Sequence, residues 1–180
     1  ARVPCLPPKG GYKSMGSLPH VASKLAAGQP VTIIAFGSSS TQGFGSSAPE
    51  FTYPSRLAAQ LKRAYPSADI TVINYEIVHA HRVRLALRRP RALVLDESHY
   101  IKNPRAKRTQ AVRKLAETLE PDALRMALTG TPVMNHAEEL IAQLRVIGRL
   151  EDFGSGARFA RRFQGIGAEE RIHWHLRRSC

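Results

Sequence analysis

Ala92-Leu93-Val94-Leu95-Asp96-Glu97-Ser98-His99 is an apolar, strand-like run that ends in two adjacent carboxylates and a histidine. Such a run predicts a buried strand, with the polar residues placed in the loop that follows it. The chemistry this pair suits is nucleotide hydrolysis. A Mg²⁺ on phosphates needs a carboxylate in its outer shell, and an attacking water needs a second carboxylate to orient it; Asp96 and Glu97 stand for the two tasks. Leu128-Thr129-Gly130-Thr131-Pro132 follows as a second apolar run, this one ending in hydroxyls and a glycine.

Outward from these runs the chain alternates. Strand-like segments at 31–36, 70–74, 92–96 and 125–129 are separated by helical patterns at 53–64, 78–89, 105–119 and 136–147. This order predicts an α/β fold in three layers, a mainly parallel sheet with helices on its faces, in which 70–74 is an interior strand. Pro121-Asp122 should break the third helix, and Phe159, Phe163, Ile172 and Leu176 read as two short helices joined by Gly165-Ile166-Gly167, a helical C-terminal tail. Ligands bind such sheets at the carboxyl ends of the strands, where Ser39, Asn74, Asp96, Glu97, His99, Thr129 and Thr131 would collect. The plainer account is that loops after strands are polar in any case.

With Tyr100-Ile101-Lys102-Asn103-Pro104 after the first motif and Val133-Met134-Asn135 after the second, the chain resembles the Swi/Snf-like branch of the superfamily-two helicases and DNA translocases. The resemblance begins at Ile73-Asn74-Tyr75-Glu76, passes Glu139-Leu140 and Phe153-Gly154, and ends at Leu176-Arg177-Arg178-Ser179-Cys180. It implies part of a first ATPase lobe with a RecA-like or flavodoxin-like sheet, ATP and Mg²⁺ as cofactors, and duplex DNA and a second helicase lobe as partners. By that resemblance Asp96 holds Mg²⁺ through water, Glu97 orients the attacking water, and Thr129 and Thr131 relay the nucleotide state, with Gly130 between them in the same nucleotide motif. Lys102, Asn103, Arg105, Lys107 and Arg108 are the implied nucleic-acid contacts.

One part of that machinery is missing from the sequence. A phosphate-binding loop needs glycines whose backbone amides face the phosphates, a Lys for the terminal phosphates and a Ser or Thr for Mg²⁺. No Gly-Lys-Thr or Gly-Lys-Ser occurs, and the nearest match, Gly11-Tyr12-Lys13-Ser14, follows Pro7-Pro8 rather than a strand. A lobe without that Lys and without its second lobe is expected not to turn over ATP.

Residues 18–74 carry a different likeness. Val31-Thr32-Ile33-Ile34-Ala35-Phe36 leads into Gly37-Ser38-Ser39-Ser40-Thr41, and Tyr53-Pro54-Ser55-Arg56-Leu57 then opens a helix. This resembles the first block of the SGNH (GDSL-like) hydrolases, and implies Ser39 as the nucleophile of a serine esterase that needs no cofactor. The oxyanion-hole residues of that family do not appear beyond Asn74. Asp96-Glu97-Ser98-His99 has the Asp-x-x-His spacing of the esterases, although it comes early and among helicase-like neighbours. The expectation is therefore a chimera-like chain, 1–74 esterase-like and 75–180 helicase-like, within one α/β domain, with a non-catalytic basic α/β domain that binds nucleic acid as the remaining alternative.

Composition respects both likenesses. At 180 residues the chain can bury one sizeable core. Its net charge of +13 and isoelectric point of about 10.6 favour acidic partners such as nucleic acid, or a solvated basic surface. Arg82, Arg84, Arg88, Arg89 and Arg91 form the densest basic run, either a phosphate grip or the outer face of a helix. The His79/His81 and His173/His175 pairs stand two apart, on different faces of a helix, which suits solvated surface better than metal. Cys5 and Cys180 make neither a disulfide framework nor a zinc site, and no apolar run could span a membrane. A cytoplasmic location is expected, with secretion tied to the esterase alternative.

Overall fold

The computed structural model describes residues 19–37, 41, 43–130 and 137–179. Helix α1 (Pro19–Ala26) leads into β1 (Val31–Gly37), and α2 (Tyr53–Ala64) connects β1 to β2 (Ala68–Asn74). Helix α3 (Val78–Leu87) precedes β3 (Ala92–Leu95), and α4 (Lys107–Ala116) precedes β4 (Leu124–Ala127). The chain ends in α5 (Glu139–Val146), α6 (Gly156–Arg162) and α7 (Ala168–Ser179).

The described strands form one parallel sheet in the order β2-β1-β3-β4. Ile34 pairs with Leu93 and Phe36 with Leu95, so the apolar residues of one face stack in register across the two central strands. That face is buried beneath α3 and α4 through Val78, Leu85, Val112 and Leu115. The opposite face carries Val31 and Ala68, packed with Val21 and Leu25 of α1 and with Leu61 of α2. Helices on both faces of a parallel sheet give the three layers expected.

Among the described residues, 70–74 do not form an interior strand. β2 is the edge strand of the described sheet, and Val72 is 40 % exposed. Periodicity separates a buried strand from a helix but carries no information on where the strand sits in the sheet. A third apolar cluster, of Leu140, Leu144, Phe153, Phe159, Phe163 and Ile172, binds α5, α6 and α7 into the expected helical tail.

The order of the strands positions the site. From β1 the chain crosses to β2 on one side, then passes back over β1 to β3 on the other. The crevice between the carboxyl ends of β1 and β3 is thus the switch point at which such sheets bind ligands.

Candidate nucleotide and metal site

Asp96 leaves β3 at that switch point. Its amide donates to Phe36 O of β1 at 2.9 Å, which extends the ladder by one residue and fixes the direction of the side chain. Asp96 Oδ2 accepts the Thr41 hydroxyl at 2.6 Å and the Tyr53 hydroxyl at 3.1 Å, while Oδ1 accepts the Glu97 amide at 3.0 Å. Thr41 is almost fully buried. Its bond to the carboxylate, short and charge-assisted, joins the loop after β1 to the end of β3.

An aromatic column supports this corner from below. Phe36 stacks on Tyr75 with centroids 5.4 Å apart, and Tyr75 on Tyr100 at 5.7 Å. The buried Tyr75 hydroxyl donates to Asp96 O at 2.8 Å, which satisfies the carbonyl where the ladder ends. Burial first, and then the Asp96 charge, push the Tyr75 phenol far up. The Tyr53 phenol is pushed up to about 12 by the same two causes in the same order. Both are neutral donors at physiological pH.

The Tyr53 shift has a sign that can be tested. Below pH 10 folded and unfolded chains both hold the proton, so its contribution to stability is complete. Above that the unfolded chain releases its proton first, so stability should fall as pH climbs from 10 towards 12. Denaturant midpoints across that window, for wild type and Tyr53→Phe, check this: the part of the decline due to Tyr53 disappears in the variant.

Glu97 adopts a left-handed backbone at φ 51°, uncommon for a residue with a side chain. The turn sends its carboxylate away from Asp96 towards His99, whose Nδ1 lies 3.3 Å from Glu97 Oε2 and 3.3 Å from Thr129 Oγ1. His99 thus links the two sequence motifs on the β4 side of β3, whereas Asp96 faces β1. The Asp-x-x-His spacing does not produce an acid–base pair, because the Glu97 turn sends the two side chains to opposite sides of the strand. Ser98, fully buried, donates to Gln143 Oε1 of α5 at 2.6 Å, and Lys102 pairs with Glu139 at 3.3 Å, so the tail is tied directly to the motif.

Of the other expected site residues, Gly130 follows Thr129 after β4, while Ser39 and Thr131 lie outside the described residues, as does Gly11-Tyr12-Lys13-Ser14. The implied nucleic-acid contacts divide. Arg108 is held by Glu76 at 2.7 Å and by Tyr100 O at 2.8 Å, and Lys102 by Glu139, whereas Arg105 and Lys107 are exposed. Asn103 Oδ1 accepts the Arg105 amide at 2.9 Å and so shapes the turn before α4. In the arginine run, Arg88 pairs with Asp69 and Arg89 with Glu120, which suits a solvated face, whereas Arg91, largely buried, pairs with Asp122. His175 departs from the surface expectation, since its ring packs against Phe153 and Phe163. Among the described residues no group of three His, Cys, Asp or Glu side chains could ligate a metal directly.

Thr41, Tyr53 and Tyr75 were not singled out by sequence reasoning. The signal available for Thr41 was its place at the end of a Gly/Ser-rich loop after a strand; its partner could be found only from the strand order. As donors, the Asp96 carboxylate and the Thr41 hydroxyl are hard oxygens that fit Mg²⁺ held through water. The phosphate side does not fit. Three residues, all serine, separate Gly37 from Thr41, too few for a glycine-framed phosphate loop and without its Lys.

The profile of the SNF2-related domain matches residues 30–179. The TATA-binding protein-associated factor mot1 of Aspergillus fumigatus is 40 % identical over 82 residues, 46 % of this chain and 4 % of its own length. Human SWI/SNF-related matrix-associated actin-dependent regulator of chromatin subfamily A member 1 is 36 % identical over 92 residues, 48 % of this chain and 8 % of its own length. The chain therefore spans a small fraction of these relatives. Among solved structures, the Sulfolobus solfataricus SWI2/SNF2 ATPase core in complex with dsDNA matches at TM-score 0.55 and 21 % identity, covering 89 % of this chain and 35 % of that one, a likeness of fold. The family match runs past Asn74 without a break and takes in both β1 and β2, so a change of family at that residue gains no support from it.

Proposed function

The chain belongs to the SNF2-related domain family, and from that premise we propose that it acts as the first ATPase lobe of a Swi/Snf-like DNA translocase, retaining a magnesium-responsive corner but not turnover. The observation that carries this is the 2.6 Å bond from Thr41 to Asp96 across the switch point. It brings a loop hydroxyl and a strand-end carboxylate together where a phosphate-bound cation would sit.

Mg²⁺, when bound, would neutralise charge on the nucleotide phosphates. The residues of this chain have separate parts in that arrangement. Asp96 would hold the cation's water shell, and the Thr41 hydroxyl would share it. Glu97 would orient the attacking water once its carboxylate leaves His99. His99 would pass the position of Glu97 to Thr129 and, with Gly130 and Thr131, to the loop after β4. Arg105 and Lys107 would meet duplex DNA, because they are exposed and are not drawn into the ion pairs that hold Lys102 and Arg108. A second lobe would complete the site. We place the esterase-like and helicase-like segments in one α/β unit, since β1 and β2 share a sheet with β3 and β4. A cytoplasmic location, in reach of DNA, goes with this reading.

The esterase alternative through Ser39 has no comparable observation behind it. The base it would borrow, His99, lies against Thr129 and Glu97.

Phosphate release from ATP, with Mg²⁺ and duplex DNA present, should stay at background. The missing Lys removes the main electrostatic grip on the transferring phosphate. Turnover that disappears in Glu97→Gln would contradict this reading and would mean that another cation replaces the Lys.

A further inference from the structure

Among the described residues two hydroxyls donate to Asp96 Oδ2, and they are held very differently. Thr41 is buried and bonds at 2.6 Å, whereas Tyr53 is 43 % exposed and bonds at 3.1 Å. A carboxylate oxygen offers about two lone-pair directions, so these donors fill Oδ2, and the Glu97 amide takes one direction on Oδ1. Of these two donors Tyr53 is the one in contact with solvent.

Tyr53 reaches this place through sequence-local causes. Thr52 caps α2, its hydroxyl accepting the Ser55 amide at 3.3 Å, and Pro54 fixes the first turn. The ring is therefore carried on a rigid helix start. Close packing at Gly43, where an added Cβ would lie 2.6 Å from Thr52 Cγ2, holds the cap against the preceding loop.

We propose that Tyr53 is a latch on Asp96: its hydroxyl occupies one side of Oδ2, and a divalent cation or its water must displace it to engage that oxygen. This rests on the metal role of Asp96 given above and adds a gate to it. Thr41 and Tyr53 bond the same oxygen yet act in opposite senses. Thr41 belongs to the cation site, and Tyr53 competes with the cation.

The test is a Mn²⁺ titration of the whole chain followed by paramagnetic broadening of amide signals, with Mg²⁺ as competitor, in wild type, Tyr53→Phe, Thr41→Val and Asp96→Asn. Tyr53→Phe should bind Mn²⁺ about fivefold to tenfold more tightly than wild type, the size of one ordinary hydrogen bond removed from competition. Thr41→Val should bind more weakly. In wild type, Mg²⁺ should also shift the Tyr53 ring signals as the hydroxyl is released. Equal affinity in wild type and Tyr53→Phe, with broadening still lost in Asp96→Asn, overturns the latch while the metal site stands. Weaker binding by Tyr53→Phe overturns it too, since Tyr53 would then support the cation. Absence of Asp96-dependent broadening in every protein overturns the metal reading and the latch with it.

Discussion

Phe36→Ala should lower the unfolding free energy by about 3–5 kcal/mol, a large part of the roughly 5–15 kcal/mol available to a domain of this kind. Phe36 is fully buried near the carboxyl end of β1 and stacks on Tyr75, so its loss leaves a cavity beneath the corner where Asp96 turns. Collapse into that cavity is opposed from both sides. The Tyr75 ring also stacks on Tyr100, and its hydroxyl is bonded to Asp96 O. Denaturant unfolding measures the change, and Phe36→Leu, which fills most of the space, should recover much of it. A loss below about 1 kcal/mol would mean that the aromatic column is not packed as described.

Gly37→Ala should be nearly as damaging, and its effect should centre on the site. A Cβ at Gly37 would overlap the Thr41 side chain, meeting its Oγ1, Cβ and Cγ2 atoms at once. Thr41 is buried and bonded to Asp96, so it cannot swing aside without leaving the carboxylate. Overpacking of this sort costs about 1–3 kcal/mol, and a lost bond to a charged group adds about 1.5–3 kcal/mol. Unfolding curves report the sum. The amide signals of Thr41 and Glu97 should move together in Gly37→Ala, and a variant as stable as wild type would contradict the close approach.

The alternation of strands and helices was legible because each element's apolar pattern agrees with its packing. β1, α2 and β3 lie within a residue or two of where the sequence put them. Helix ends were set by local chemistry that periodicity does not report. α3 stops at Leu87, ahead of Arg89 with φ 47° and Pro90, and the Asn103 side chain holds the turn before α4 until Lys107. The position of β2 at the edge could not be read, since strand order is a long-range property.

The candidate site was legible in the same uneven way. Asp96, Glu97 and His99 could be picked out because acids and a histidine at the end of an apolar strand are conspicuous. Their partners could not. Thr41 meets Asp96 because β1 and β3 are neighbours, Tyr53 arrives on the capped start of α2, and the left-handed turn at Glu97 separates Asp96 from His99. A four-residue motif, Asp96 to His99, that could have served an esterase is thus divided between two sides of one strand.

Asp96, with Thr41, is proposed to form the cation corner of this SNF2-related lobe. The most direct test of this is amide broadening by Mn²⁺ in wild type against Asp96→Asn. Weak, saturable broadening should centre on Thr41, Asp96 and Glu97, be displaced by Mg²⁺ and be absent from Asp96→Asn. Broadening that is unchanged in Asp96→Asn, or that centres on acids elsewhere, would contradict it.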